Sequence, residues 1–491
     1  MYTKKVEEKK YSPREKVNLM RTASKFFLVF LIFIYPLLLI GYADEQPTPT
    51  APAPTLSAPP TATDPNAKNS AEAAQSLRRG LPQPFDPVFS GVPDYFGPVL
   101  GVPDTTTDYP LTKDMWNLFP TLKDDRIRVY GWVNPGYSAS SSTNSNAPLS
   151  YAIVPNKPEL DQFVLRVERV PDTYQTDHLD LGFRFSSMYG IDYRWTTAQG
   201  YFSNQLYQHN ELNGYDPVEA YGLLYIPKVA QGMLLQFGRY ISPPDIEAQL
   251  APNNYLFTHS EFFDWDAYTF SGANAQIMLN KNWTIIAGIH AGDDIAIWAP
   301  AQHFPSGQFL ARWVSDDNNN SLYGGVVSIN NGQFTANHAN QQQFNLTYTH
   351  RFNPGFLNTT EGYYMYVYNS VVGGSCVFGP TYTYAGGGGC GAPLPGLSSV
   401  LGFVNYTEKK ISDHDFLSLR ESYLNDVRGE RSGFATPYWE FTFGLTHHIN
   451  DLLEIRPEIR YEYATAPGVT PWDNGTRANQ TTFNMDLIEF F

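Results

Sequence analysis

The residues with the clearest chemical potential in this chain are arginines and glutamates that alternate with apolar residues. Arg166 and Glu168 lie two apart, and Arg184 falls in a second alternating stretch. This spacing would put the charges on one face of a β-strand, because successive side chains point to opposite faces. Opposed rows of charge across a water-filled space would set a transverse field that favours small polar solutes. The charged residues predicted to line such a lumen are Arg166, Glu168, Arg184, Glu454, Arg456, Glu458 and Arg460.

The same alternation fits a second interpretation, in which the charges form a cross-strand ladder of ion pairs that only stabilises the wall. Both interpretations require the charged side chains to share one face of a sheet. The whole chain carries 48 Asp and Glu against 33 Lys and Arg. That surplus of acid suggests a weak preference for cations, and it argues against a nucleic-acid partner, which requires clustered basic residues.

Cys376 and Cys390 are the only cysteines, and they lie in a glycine-rich stretch between two predicted strands. In an exported protein such a pair predicts a disulfide. Closing that loop would stabilise the protein by roughly 3 kcal/mol in the chain-entropy model. A metal or redox pair is the alternative, but neither a CxxC spacing nor an adjacent histidine supports it. The loop, residues 371–398, is long enough to cover the mouth of a barrel or to fold inward as a constriction.

No arrangement of residues predicts catalysis. The acidic runs 293–294 and 316–320 offer oxygen ligands for Ca²⁺, but the second lacks the glycine and the closing glutamate of an EF-hand loop. His209, His447 and His448 show no metal-binding spacing, and no GxSxG, P-loop or GxGxxG pattern occurs on a strand-to-helix turn. We therefore predict no catalytic residue, no metal site and no cofactor.

These residues would be positioned by β-strands. From Arg126 onward, segments of about 8–11 residues alternate polar with apolar positions and are separated by clusters of Gly, Asn, Asp and Pro. In Phe344–Phe352, for example, Phe344 and Leu346 share a face opposite Asn345 and Thr347. The pattern predicts about sixteen strands, beginning near residues 127, 163, 178, 218, 233, 268, 283, 307, 322, 343, 362, 399, 415, 438, 453 and 482.

Two architectures fit such strands. In a soluble sandwich or propeller the apolar face forms a dry core, whereas in a transmembrane barrel it meets lipid. The C-terminus favours the barrel, because Phe483, Met485, Leu487 and Phe491 would share one face of a last strand, although Glu489 departs from the alternation. A terminal aromatic residue of this kind is similar to the assembly signal of bacterial outer-membrane barrels, which an assembly factor can hold by edge pairing.

Residues 1–43 are typical of a cleaved export signal. Basic residues precede the uncharged run Phe26–Ile40, and Gly41, Tyr42 and Ala43 supply a small-residue cleavage pattern. An uncleaved membrane anchor is the alternative, but this run is shorter than the roughly 20 residues that span a bilayer as a helix. The true start of the chain, Met1 or Met20, stays open.

The rest of the chain divides into three parts. Residues 44–66 are rich in Pro, Thr and Ala and predict an extended linker. Residues 67–125 predict an irregular extension, with room for one short helix at 67–77. Residues 126–491 contain all of the predicted strands.

Several stretches carry a resemblance to a known family, among them LPQPFDPVFSG, RVYGWVNPGYS, QFVLRVERVPDT and DHLDLGFRFSSMYGIDYRWTTAQGYF. Through them most of residues 80–491 resembles the β-barrel porins of the OmpL-like type from Gram-negative bacteria. The resemblance implies an outer-membrane barrel and a diffusion channel. It implies no particular substrate and no catalytic residue.

The combined prediction is an all-β protein, an antiparallel transmembrane β-barrel of about 16 strands preceded by a signal peptide and a Pro-rich extension. It would be a porin of the outer membrane, not an enzyme, and would pass small hydrophilic solutes. Its expected partners are outer-membrane lipid, the barrel-assembly machinery and those solutes, with a homo-oligomer left open. The alternatives are a carbohydrate-binding or adhesion β-protein at the cell surface and a closed structural barrel.

Overall fold

The computed structural model describes residues 100–101, 104, 106–148, 151–243, 246–299, 305–330, 341–373 and 392–491. The signal, the linker and the helix predicted at 67–77 lie outside these residues, as do Cys376 and Cys390. Among the described residues, no helix combines the length and the apolar character needed to cross a membrane.

Sixteen strands form one closed antiparallel barrel, in which each strand pairs with its neighbours in sequence and β1 pairs with β16. The predicted fold class is therefore confirmed. The strands are β1 Arg128–Ser140, β2 Pro158–Arg169, β3 Asp180–Gly190, β4 Gly214–Ile226, β5 Met233–Ile241, β6 Thr269–Met278, β7 Trp283–Asp293, β8 Ser306–Val314, β9 Asn320–Ile329, β10 Gln342–Asn353, β11 Phe356–Val371, β12 Pro393–Lys410, β13 Asp415–Asp426, β14 Thr436–Asn450, β15 Leu453–Ala464 and β16 Asn479–Phe490.

Most strands begin within two residues of the predicted position. The exceptions are β2, β4, β11, β12 and β16, which begin earlier than their sequence pattern indicated. In β2 and β16 the first residues, Pro158 and Glu159 or Asn479 and Gln480, are polar or proline. Alternation is lost there because neither face is apolar, although the hydrogen-bonded ladder continues.

The two ends of the barrel differ in their connections. At one end, which we call the short-turn end, the strands are joined by turns such as 279–282, 354–355 and 451–452. The barrel also begins and ends there, because β1 starts and β16 finishes at this end. The opposite, long-loop end carries extended connections, including 141–157, 191–213 and 242–268.

Side chains alternate between the outside and the inside of the wall. Phe163, Phe443 and Ile459 point outward and are 45%, 50% and 54% exposed. Charged neighbours such as Arg166 and Arg460 point inward and are buried. An apolar exterior around a polar interior is the arrangement that a lipid-embedded barrel requires.

Within the described part of the chain, five short α-helices accompany the barrel: α1 Pro110–Leu118, α2 Pro120–Asp124, α3 Tyr193–Thr196, α4 Asn204–Tyr207 and α5 Trp472–Gly475. Two 3₁₀ turns, Ala251–Asn253 and Phe263–Trp265, lie in the β5–β6 connection. Helices α1 and α2 differ from the irregular chain predicted for residues 67–125. Each begins with a proline in its first turn, where the fixed φ of that residue favours helix initiation.

Candidate functional site

The first feature of the barrel interior is a charge cluster on β2, β3 and β4. Arg184 Nε lies 2.8 Å from Glu168 Oε2, and Arg184 Nη1 lies 3.2 Å from Glu219 Oε1. Arg166 Nη2 lies 2.7 Å from Glu219 Oε2. Tyr130 OH donates to Glu168 Oε1 at 2.7 Å, and Ser186 Oγ donates to Glu219 Oε2 at 2.7 Å. Arg184 therefore has carboxylate partners on both neighbouring strands, and Arg166 reaches across β3 to the carboxylate on β4.

A second set of ion pairs lies on β13 to β16. Arg456 pairs with Asp486. Arg460 Nη2 lies 2.5 Å from Glu462 Oε2, and Arg420 Nη2 lies 3.1 Å from Glu440 Oε1. Nearly all of these side chains are fully buried. Breaking one partner of such a buried pair costs far more than breaking a surface pair, because the other charge stays buried without compensation.

The β5–β6 connection enters the barrel and binds to this second set. We call residues 242–268, of which 244–245 lie outside the described part, the inserted segment. Arg456 Nη1 donates to the carbonyls of Ala251 and Asn254 at 2.8 and 3.0 Å. Glu458 Oε2 accepts from the backbone N–H groups of Phe257 and Thr258 at 3.1 and 3.2 Å. The wall charges thus hold the backbone of the segment in place.

The inserted segment also contributes its own charge to the network. Glu247 accepts hydrogen bonds from Tyr406 OH at 2.8 Å and from Ser260 N at 2.8 Å, and it lies 3.2 Å from Arg420. Burial raises the pKa of the Glu247 carboxyl, while Arg420 opposes that rise. Glu261 lies 3.7 Å from Arg460.

Three inward-facing glycines make room for the apolar side chains of the inserted segment. A Cβ at Gly444 of β14 would lie 2.3 Å from Leu256 Cδ2, and one at Gly402 of β12 would lie 2.8 Å from Phe262 Cδ2. A Cβ at Gly136 of β1 would meet Phe257 at 2.5 Å. The inserted segment can therefore approach the wall this closely only because glycine has no Cβ at these three positions.

Aromatic rings join the inserted segment to two other long connections. The ring of His259 stacks on Tyr151 at 3.9 Å and on Phe263 at 4.4 Å, and Tyr151 stacks on Trp195 at 5.0 Å. His259 is fully buried, and burial lowers the pKa of its imidazole well below the usual value. This stack packs the β1–β2, β3–β4 and β5–β6 connections against one another at the long-loop end.

The predicted charged residues all point inward, and the structure brings them together in two groups. Arg166, Glu168 and Arg184 meet in the first cluster. Glu454, Arg456, Glu458 and Arg460 are buried along β15, where the last three contact the inserted segment. The direct ion pairs match the wall-stabilising alternative more closely than two separated rows of charge.

Sequence reasoning missed several members of both groups. The partners that it missed are Glu219, Asp486, Glu462, Glu247, Glu261 and Arg420. It also missed a separate buried ion pair, in which Arg239 Nη1 lies 2.6 Å from Asp216 Oδ1. Most of the strand residues among them occupy inward positions that the alternation could have indicated. No local pattern signals the partners in the inserted segment, because they reach the wall only when the barrel closes.

The C-terminal strand begins earlier than predicted, at Asn479, but its side chains alternate between the two faces as the pattern indicated. Phe483 and Met485 face outward and are 53% and 45% exposed. Phe491 exchanges backbone hydrogen bonds with Gly131 of β1, and its ring stacks on Phe163 at 5.7 Å. Glu489, the residue that departs from the alternation, also points outward.

The closed barrel, its apolar exterior and its charged interior define an outer-membrane channel protein. The family model described as "Putative beta-barrel porin-2, OmpL-like" matches residues 126–491, and the chain belongs to this family. The protein is therefore a porin of the bacterial outer membrane, as the sequence resemblance predicted. No curated protein matches the chain.

Three solved structures are similar to this chain at very low sequence identity. An anion-selective porin from Comamonas acidovorans is 7% identical with a TM-score of 0.46, covering 74% of this chain and 99% of its own. OprB from Pseudomonas putida, in a high-pH structure, is 10% identical with a TM-score of 0.46, covering 77% of this chain and 97% of its own. A trimer form of OmpT from Vibrio cholerae is 8% identical with a TM-score of 0.43, covering 74% and 99%.

Proposed function

We propose that this porin conducts small hydrophilic solutes by passive diffusion, through a lumen that the inserted segment narrows and with a weak preference for cations. The observation that carries the proposal is the attachment of the β5–β6 connection to the inner wall. The loop at 371–398, which the sequence also suggested as a constriction, stays a prediction, because residues 374–391 lie outside the described part.

The narrowing is supported by contacts on opposite parts of the wall. On one side, Gln162 of β2 donates to the carbonyl of Gln249 at 2.8 Å. On the other, Glu361 of β11 accepts from the N–H of Ile246 at 2.7 Å. Since β2 and β11 are far apart in the strand order, the segment must reach across the interior between them.

The cation preference is supported by the balance of buried charge. Among the described residues, 22 Asp and Glu side chains are buried against nine arginines and no lysine. In the ion pairs, a carboxylate already compensates the positive charge of each of Arg166, Arg184, Arg420, Arg456 and Arg460. Carboxylates therefore outnumber the cations that compensate them, and an interior of one sign attracts the opposite ion.

The seven predicted lumen residues then have a double role in this proposal. Their ion pairs stabilise the wall and hold the inserted segment, while the surplus carboxylates set the sign of the field. We propose the assembly role of the C-terminal strand on the same footing, supported by the exposed outward row and the pairing of Phe491 with β1.

The test is a pair of measurements on residues 44–491 refolded in detergent and reconstituted into liposomes. We expect swelling in solutions of small neutral sugars, at rates that fall steeply as the sugar grows. A reversal potential recorded in a KCl gradient should have the sign of K⁺ preference. Folded protein that never permits swelling would contradict the channel, and a reversal potential of the opposite sign would contradict the cation preference alone.

A further inference from the structure

The chain that precedes the barrel is fastened to the short-turn end by polar contacts. Arg128, the first residue of β1, lies 2.5 Å from Asp104 and 2.9 Å from Asp108. Thr112 Oγ1 donates to the carbonyl of Val129 at 2.7 Å, and Trp116 Nε1 donates to the carbonyl of Ile127 at 2.6 Å. The extension therefore turns back along the start of β1.

Tyr109 carries the extension past the rim and into the barrel. Its ring lies 4.9 Å from that of Phe490, nearly parallel, and 5.1 Å from that of Tyr130. Tyr130 is an inward-facing residue, since its hydroxyl donates to Glu168 in the first charge cluster. Tyr109 is only 1% exposed, so the contact is part of the packed interior at the β1–β16 seam.

Leu100 makes a second contact on a different part of the wall. It is buried in a cluster with the inward-facing side chains of Leu223 and Tyr225 of β4 and Leu234 of β5. Gly101 N donates to the carbonyl of Thr173 in the β2–β3 connection at 3.2 Å. All of these residues lie near the short-turn end of their strands or in its connections.

We propose that the chain held at Leu100 and Tyr109 is a strap across part of the short-turn mouth, and that it limits the current through the channel. The strap is defined by Leu100, Gly101, Asp104 and residues 106–109; residues 102, 103 and 105 lie outside the described part. Short turns face the periplasm in bacterial outer-membrane barrels, so the strap sits at the periplasmic mouth. The inference rests on the proposed channel.

The contacts suit a strap that can be released. The Arg128, Asp104 and Asp108 side chains are 14%, 23% and 40% exposed, and ion pairs that solvent reaches are weakened by salt. The aromatic contact at Tyr109 is buried and insensitive to salt. Removing either fastening should loosen the strap without touching the sixteen-strand ladder.

The test compares three variants with the wild type in planar bilayers. Y109A removes the buried ring, and D104N/D108N removes the charged fastening while β1 keeps its sequence. L118A is the matched control, because Leu118 lies on the same extension and is 70% exposed. Heat-modifiable mobility on gels checks that each barrel is folded. We expect a higher single-channel conductance for Y109A and for D104N/D108N, and wild-type conductance for L118A.

Limited trypsin digestion of the folded proteins supplies a second readout, because Lys113 and Lys123 follow the strap. Cleavage there should be faster in Y109A and D104N/D108N than in L118A or the wild type. If Y109A and D104N/D108N had the same conductance as the wild type, the strap would be overturned and the proposed channel would be unaffected. If neither the wild type nor any variant conducted current, both the channel and the effect of the strap on it would be overturned. If trypsin cleaved all the proteins at the same rate, the contact of the strap with the barrel would be overturned.

Discussion

Arg456 on β15 and Asp486 on β16 face each other across the strand pair and form two parallel hydrogen bonds, Nε to Oδ1 at 3.0 Å and Nη2 to Oδ2 at 2.5 Å. The remaining nitrogen of the guanidinium binds two carbonyls of the inserted segment. One arginine thus links the barrel wall to the chain that narrows it. A bidentate pair of this kind fixes geometry as well as charge.

Replacing this arginine should destabilise the barrel strongly. Arg456→Ala leaves Asp486 buried without a cation, and we expect a loss of about 3–5 kcal/mol in the free energy of unfolding. Denaturant unfolding in detergent micelles, followed by tryptophan fluorescence, measures the change. Lys281→Ala is the control, because Lys281 and Asp316 are both exposed and their side chains lie 2.9 Å apart; an exposed pair contributes only about 0–1 kcal/mol. Equal losses for both variants would contradict the account.

The inner-wall glycines should tolerate substitution poorly. Gly444→Leu would drive its side chain into Leu256 and push the inserted segment away from β14. Overpacking of this kind costs about 1–3 kcal/mol, measured by the same unfolding experiment. Gly307 of β8 lies on the outward face, and the nearest atom to an added Cβ there is 3.7 Å away, so Gly307→Leu is the control for an added side chain that meets no close neighbour. Equal destabilisation by the two substitutions would contradict the close contact between Gly444 and Leu256.

The contact between the β1–β2 and β15–β16 connections should depend on pH. Burial raises the pKa of Asp473, but hydrogen bonds from the backbone N–H groups of Asn144 and Thr143 outweigh it and lower the pKa below its usual value. A lowered carboxyl pKa stabilises the contact above the ordinary value and loses it as pH falls through the lowered one.

Hydrogen exchange at the Thr143 and Asn144 amides, compared with unstructured peptide rates at each pH, measures this dependence. Protection should be present at neutral pH and lost in acid, and Asp473→Asn should weaken it at neutral pH. Asp451→Asn, in an exposed turn at the opposite end, should leave protection unchanged. Protection that persists unaltered in strong acid would contradict a role for the carboxylate.

The cysteine pair stays a prediction from sequence. We expect protein purified without reductant to show no free thiol, and two thiols per chain after reduction and unfolding. The double variant Cys376→Ser/Cys390→Ser should lose roughly 3 kcal/mol of stability in the chain-entropy model. Two reactive thiols in the unreduced protein would contradict the disulfide.

Much of the fold was readable from the sequence because its periodicity is local. Alternation in a segment such as Phe344–Phe352 fixes both the strand and the face of every side chain, whatever the neighbouring strands are. The inward direction of Arg166 and Arg184 followed from the same rule. Strand ends were less predictable, because the alternation fades where neither face is apolar, as at Pro158 and Glu159.

The interior was less readable because its contacts join distant parts of the chain. Glu247 reaches Arg420 and Tyr406 only after the barrel closes, and nothing in the sequence around residues 242–268 marks that path. Length and glycine content pointed to the loop at 371–398, of which residues 374–391 lie outside the described part. Gly444, which makes room for Leu256 of the inserted segment, appeared in the sequence only as one more inward position.

Single-channel recording of the wild-type protein in planar bilayers tests the central claim most directly. The account predicts discrete current steps whose size rises in proportion to salt concentration, from protein whose heat-modifiable mobility shows a folded barrel. Folded barrels that insert and give no steps would contradict an open diffusion channel and would leave a closed structural barrel in its place.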